Sequence, residues 1–162
     1  VDIILDGGQS SVGVESTIIE VTGDDYFLLR PGGLSIEDIE FVLGKKLLKK
    51  ENHDNPNAPG MLKYHYAPNI PIHFLDNETY LQNKDKKIGG LLFSNKYLNY
   101  NFNITKVLTS TSNSVEAAAN LFFMLHELEN SDIDVILAEP IPEKGLGKAI
   151  MDRLKKAVNT YK

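Results

Sequence analysis

Ser16, Thr17 and Arg30 combine two hydroxyls with a guanidinium, and the stretch that joins them reads as a hairpin. Gly13-Val14-Glu15-Ser16-Thr17 leads into an apolar strand, Ile18 to Val21, and Thr22-Gly23-Asp24-Asp25 turns the chain. A second strand, Tyr26 to Leu29, delivers Arg30 to its end, where Pro31-Gly32-Gly33 stops it. One strand opens and the other closes at the same end, so the hydroxyls and the guanidinium share one sheet rim. Such a rim suits an anion or a nucleotide, because a guanidinium presents a flat fork of donors. The chain has 17 basic side chains, and only Arg30 and Arg153 are arginine. A sequence this biased towards lysine places arginine where a permanent bidentate charge is hard to replace. The bland use of Arg30 is an ion pair with Glu15 or Glu20, and the residues alone weigh the two uses equally.

Other candidates are fewer. Met61-Leu62-Lys63-Tyr64-His65-Tyr66-Ala67-Pro68 is too aromatic for a plain spacer. It can fold over a nucleotide, with lysine on phosphate and tyrosine on base or ribose, or pack its tyrosines between domains. Glu143-Lys144-Gly145-Leu146-Gly147-Lys148 precedes a helix but lacks the Walker A and dinucleotide patterns, so its glycines read as a turn. The four histidines have no metal-ligand spacing, and Asn130 breaks the zinc pattern that His126-Glu127 would begin. Asp152-Arg153 reads as a surface or interdomain ion pair.

The elements that position these residues follow from spacing. Val1 to Leu5 reads as a strand that needs neighbours, and its start without methionine marks the tail of a larger domain. Ser35 caps a short helix with Asp38 in the capping-box place and Gly44 as its stop; Ile36, Ile39, Val42 and Leu43 form its apolar face. From Lys45 to Asn69, paired lysines, Asn and Pro without apolar periodicity describe a linker. Beyond it, strands at Ile72–Leu75, Ile88–Phe93, Ile104–Leu108 and Asp134–Ala138 alternate with helices at Asn77–Asn83, Val115–Glu129 (capped by Ser114) and Lys148–Tyr161. The last of those strands is continuously apolar, as parallel strands covered on both faces are, and the order implies a small doubly wound α/β domain.

Composition bounds the rest. With 42% hydrophobic and 24% charged residues the chain is ordinary globular material. A net charge of −5 argues against general affinity for nucleic acid or anionic membrane. The absence of cysteine excludes a thiolate nucleophile or disulfide framework and is compatible with the cytoplasm. No apolar run has the length of a membrane span.

GVESTIIE followed by FLLRPGGLSIEDIE resembles the end of the YrdC-like domain of threonylcarbamoyl-AMP synthases. APGMLKYHYAP and EKGLGKAIMDRLKKA are similar to the linker and closing helix of that family's two-domain type. The three motifs keep the family's order and cover the chain nearly end to end. The resemblance implies an incomplete YrdC-like α/β domain (1–44), a lid-forming linker (45–69) and a Rossmann-like accessory domain (70–162). It implies an L-threonylcarbamoyladenylate synthase, converting ATP, L-threonine and bicarbonate to threonylcarbamoyl-AMP and pyrophosphate, with Mg2+ accompanying ATP. The product feeds the tRNA threonylcarbamoyl transferase machinery of the cytoplasm. On this basis Ser16 and Thr17 bind threonine, Arg30 contacts ATP phosphates, and Tyr66, Lys63 and His65 belong to the ATP lid. The family's basic and Ser/Asn motifs are absent from this sequence, so the chain alone is expected not to turn over without its N-terminal half. No catalytic base is assigned. The competing class is a non-catalytic module that binds a nucleotide, RNA or a partner protein.

Overall fold

β-Branched residues at Ile18, Ile19, Val21 and Thr22 favour extended backbone, and Gly23 takes the left-handed conformation that reverses the chain. The resulting hairpin pairs β1 (Ile18–Thr22) with β2 (Asp25–Arg30) antiparallel, in a computed structural model that describes residues 2–8, 10–49 and 67–159. The register shifts between Ile18, opposite Arg30, and Ile19, opposite Leu28. Leu29 is therefore an extra residue, and the bulge bends the strand just where Arg30 leaves it.

α1 (Ile36–Leu43) starts as its sequence dictates, with the Ser35 hydroxyl accepting the Asp38 N–H and Gly44 closing the helix in the left-handed region. Its apolar face is only half used: Ile36 and Ile39 are buried, whereas Val42 is 82% exposed beside an 88% exposed Phe41. The start of the expected linker is more ordered than its composition implied. β3 (Leu48–Lys49) adds to β2 in parallel, and Glu40 anchors its approach by accepting from Lys46 Nζ and the Leu47 N–H. The expected strand at the start is not formed. Residues 2–5 pair with no strand, and Ile3, Ile4 and Leu5 stand exposed, because extended backbone without a neighbour has no ladder to join.

The second sheet holds β4 (Ile72–Phe74), β5 (Ile88–Leu92), β6 (Ile104–Val107) and β7 (Val135–Ala138), all parallel, in the order β4-β7-β5-β6. α2 (Asn77–Asn83), α3 (Ser114–Glu129) and α4 (Gly147–Asn159) connect or follow them. Alternation along β7 fills both faces: Ile136 and Ala138 pack with Leu121, Leu125, Ile150 and Leu154 of α3 and α4, while Val135 and Leu137 join Leu75, Ile88, Leu92 and the ring of Tyr80 from α2. Each such leucine or isoleucine contributes about 1.5–3 kcal/mol by leaving water. The expected cap of α3 shifts by one residue. Asn113, not Ser114, accepts from the Val115 and Glu116 N–H groups, since its longer side chain reaches both.

The two sheets meet through the loop before β1. Val12 and Val14 pack onto the larger core, and Gly13 lies on α3 so closely that a Cβ would come within 2.2 Å of the Ala118 carbonyl oxygen.

Candidate functional site

The hairpin brings Ser16 and Arg30 together as their positions required. Arg30 Nε and Nη2 both donate to the Ser16 carbonyl oxygen, at 3.2 and 3.0 Å, and Nη2 also donates to Ser16 Oγ at 3.3 Å. Nη1 lies 3.7 Å from Glu15 Oε1, so the ion pair with Glu15 also exists. Arg30 is only 6% exposed, which leaves its charge weakly screened.

Thr17 is turned to a different partner. Its Oγ1 donates to the Leu34 carbonyl oxygen at 2.6 Å and accepts the Leu34 N–H at 3.2 Å, clasping the start of β1 to the start of α1. Gly32 makes the clasp possible. A Cβ there would lie 2.3 Å from the Glu15 oxygen and the Ser16 carbonyl carbon, so the Pro31-Gly32-Gly33 turn passes backbone against backbone. The Gly33 N–H then donates to the Glu15 carbonyl oxygen at 2.8 Å.

Arg153 enters this rim from α4. Its Nη2 and Nε reach Glu15 Oε2 at 2.7 and 3.1 Å, and Nη1 donates to the Pro31 carbonyl oxygen. It is 1% exposed, so the Asp152-Arg153 pair is not a surface pair; the two are neighbours within α4, and the ion pair that joins α4 to the hairpin is that of Arg153 with Glu15. Glu15, which the sequence offered only as a neutralising partner, is the shared acceptor of both arginines in the chain. The scarcity of arginine that drew attention to Arg30 applied equally to Arg153.

Beside the rim opens an apolar groove of about 760 Å³, walled by Val12, Val14, Ile19, Val21, Tyr26, Leu34, Ile39 and Val42 with Ser16 at its edge. A second crevice of about 630 Å³ lies at the carboxyl ends of the parallel strands, between Phe93, Ser94, Ser112, Ser114 and Lys144 and the Ser35 end of α1. Glu139 is pinned at its base, where Oε2 accepts the Phe93 and Ser94 N–H groups and Oε1 accepts from Ser94 Oγ. The 145–147 glycines are explained by the turn into α4, for a Cβ on Gly147 would strike the Pro142 carbonyl oxygen.

Lys63, His65 and Tyr66 lie outside the described residues, as does His53. His126 pairs with Glu129 on the exposed side of α3. Burial, and secondarily Lys86, holds the His73 ring below its ordinary pKa. Among the described residues, no group of three or more His, Asp or Glu could hold a metal ion, and no helix is long and apolar enough to cross a membrane.

Residues 34–158 match the family described as threonylcarbamoyl-AMP synthase, C-terminal domain. The threonylcarbamoyl-AMP synthase of Pyrococcus abyssi is 35% identical over 173 residues, covering 97% of this chain and 49% of its own. That of Bacillus subtilis is 33% identical over 165 residues, covering 95% and 48%. The crystal structure of P. abyssi Sua5 complexed with L-threonine superposes with a TM-score of 0.77 at 35% identity, over 95% of this chain and 48% of that one. The chain thus spans about half the length of the curated relatives it matches.

Proposed function

Because the chain belongs to the threonylcarbamoyl-AMP synthase family through its C-terminal domain, we propose that it supplies one wall, the lid and the accessory domain of an L-threonylcarbamoyladenylate synthase. The enzyme condenses L-threonine with bicarbonate and transfers AMP from ATP to the product, releasing pyrophosphate. In this reading Ser16, with Thr17 holding the strand behind it, faces threonine, and Arg30 meets the ATP phosphates. Lys63, His65 and Tyr66 close over the nucleotide. The relative solved with L-threonine supports the amino-acid part of the reading.

The observation that carries it is the buried Arg30 clamped to Ser16 at the edge of an open apolar groove. An adenylyl transfer can run on positioning and on cations that neutralise phosphate, with no side-chain base. Val21, Leu34 and Val42 are exposed along this groove, and such a patch fits the remaining half of a catalytic domain better than water. Magnesium would arrive on the ATP phosphates, which are its usual ligands beside one or two carboxylates. The product would pass to the machinery that threonylcarbamoylates tRNA in the cytoplasm.

The deciding experiment measures pyrophosphate release from ATP with threonine and bicarbonate, for this chain and for a version extended through its upstream region. Activity confined to the extended protein, and lost with Arg30→Ala, is the expected result. No release from either protein would overturn the assignment and leave an α/β binding module.

A further inference from the structure

Glu15 divides one carboxylate between the two arginines of the chain, and the division is unequal. Oε2 sits 2.7 and 3.1 Å from two nitrogens of Arg153, whereas Oε1 stands 3.7 Å from Arg30 Nη1. Arg153 is fixed in that place by donating from Nη1 to Pro31 in the rim and to Ala149 in its own helix. The guanidinium therefore grips backbone on both sides of the domain junction while it holds the carboxylate.

We propose that Arg153 is a positioning residue for the Arg30 site, holding Glu15 away from Arg30 so that the carboxylate does not take the place of an ATP phosphate. The inference rests on the reading that Arg30 contacts ATP. Coulomb attraction rises steeply as two charges close, and around a guanidinium that is 6% exposed it is weakly screened. Nε and Nη2 donate to Ser16, so a carboxylate that moved in from 3.7 Å would form a charge-assisted contact at Nη1, the nitrogen a phosphate would also use, and would compete with it directly. Arg153 prevents this by occupying the other oxygen. The accessory domain would thereby set how much of the charge on Arg30 is available to the nucleotide.

The test uses the full-length enzyme, with KM for ATP and kcat read from pyrophosphate release at saturating threonine and bicarbonate, and the melting temperature measured alongside. Arg153→Met is expected to raise KM for ATP about tenfold, the size of one charge-assisted contact, with kcat little changed. Adding Glu15→Gln to Arg153→Met is expected to return KM to within about twofold of wild type, since the competing charge is gone. A purely structural role would lower the melting temperature and the active fraction without moving KM. An unchanged KM in Arg153→Met, or a raised KM that Glu15→Gln does not relieve, overturns the proposal. Should Arg153→Met fail to fold, Arg153→Lys replaces it, because one ammonium cannot grip Glu15 and Pro31 in the fork geometry. The same predictions and the same overturning results apply to it. Arg30→Ala separates the two levels. A normal KM for ATP in that variant removes the reading on which the inference stands, while a defect in Arg30→Ala beside a normal Arg153→Met removes the inference alone.

Discussion

Gly32→Ala should damage the rim without altering any charged group. The added Cβ would stand 2.3 Å from the Glu15 carbonyl oxygen, 2.3 Å from the Ser16 carbonyl carbon and 2.4 Å from the Thr17 nitrogen. All three are backbone atoms, so no side chain can swing aside, and the strand entry must move by about an ångström to reach ordinary contact. Overpacking costs about 1–3 kcal/mol where neighbours can adjust, and here the cost should lie near the top, about 3 kcal/mol. Two other glycines calibrate the figure. Gly7 has nothing within 4 Å, so Gly7→Ala should stay within about 0.5 kcal/mol of wild type. Gly23 has equally open space but a φ of +60°, so Gly23→Ala should cost about 1 kcal/mol through backbone strain alone. Urea unfolding of the three variants, compared at equal slope, should rank them Gly32→Ala, Gly23→Ala, Gly7→Ala from most to least destabilised. A Gly32→Ala protein no less stable than Gly23→Ala would refute the backbone-on-backbone account of the turn.

Two further outcomes are expected. Glu139→Ala strips the acceptor from the Phe93 and Ser94 N–H groups and should cost about 2–3 kcal/mol, while Glu139→Gln should recover part of this because the Ser94 hydroxyl can reverse to accept; a neutral Glu139→Ala in urea unfolding would count against the pinning described for this carboxylate. The folded His73 ring resists protonation, so the unfolded chain takes up a proton first as pH falls through its ordinary value of 6.5. Its contribution to stability should be complete above that pH and decline below it, and His73→Gln should flatten the unfolding free energy between about pH 7 and 5.5 relative to wild type; parallel pH curves would contradict the assignment.

Much of the parallel domain was legible because its signals are local. The unbroken apolar run of β7 announced burial on both faces, and the helical spacing of Ala118, Leu121, Phe122, Leu125 and Leu128 marks the side of α3 that faces the sheet, with Phe122 only partly buried at its margin. The helix expected at Asn77–Asn83 forms with those bounds, and Asp76, which the sequence reading did not single out, caps it by accepting the Thr79 N–H. The rim was legible as a meeting of Ser16 with Arg30, because strand pairing fixes that neighbourhood. What escaped was set by contacts far along the chain. Glu15 and Arg153 are separated by 138 positions, so no local pattern joins them. Thr17 looked equivalent to Ser16 until Leu34 claimed its hydroxyl. Val42 fits the helical stripe of α1 yet stands exposed, and residues 2–5 have the composition of a strand without the neighbouring ladder that makes one.

The contact of Gly13 with α3 has a mechanical meaning. Where side chains meet, a small shift is absorbed by a change of rotamer. Here main chain lies on main chain at Ala118 and Ala119, and no side-chain torsion exists to take up the movement. A rotation of α3 must therefore drag Gly13 with it, and Ser16 follows three peptide units later. The junction transmits displacement as a rigid coupling would, so α3 and the strand entry at Ser16 move as one piece.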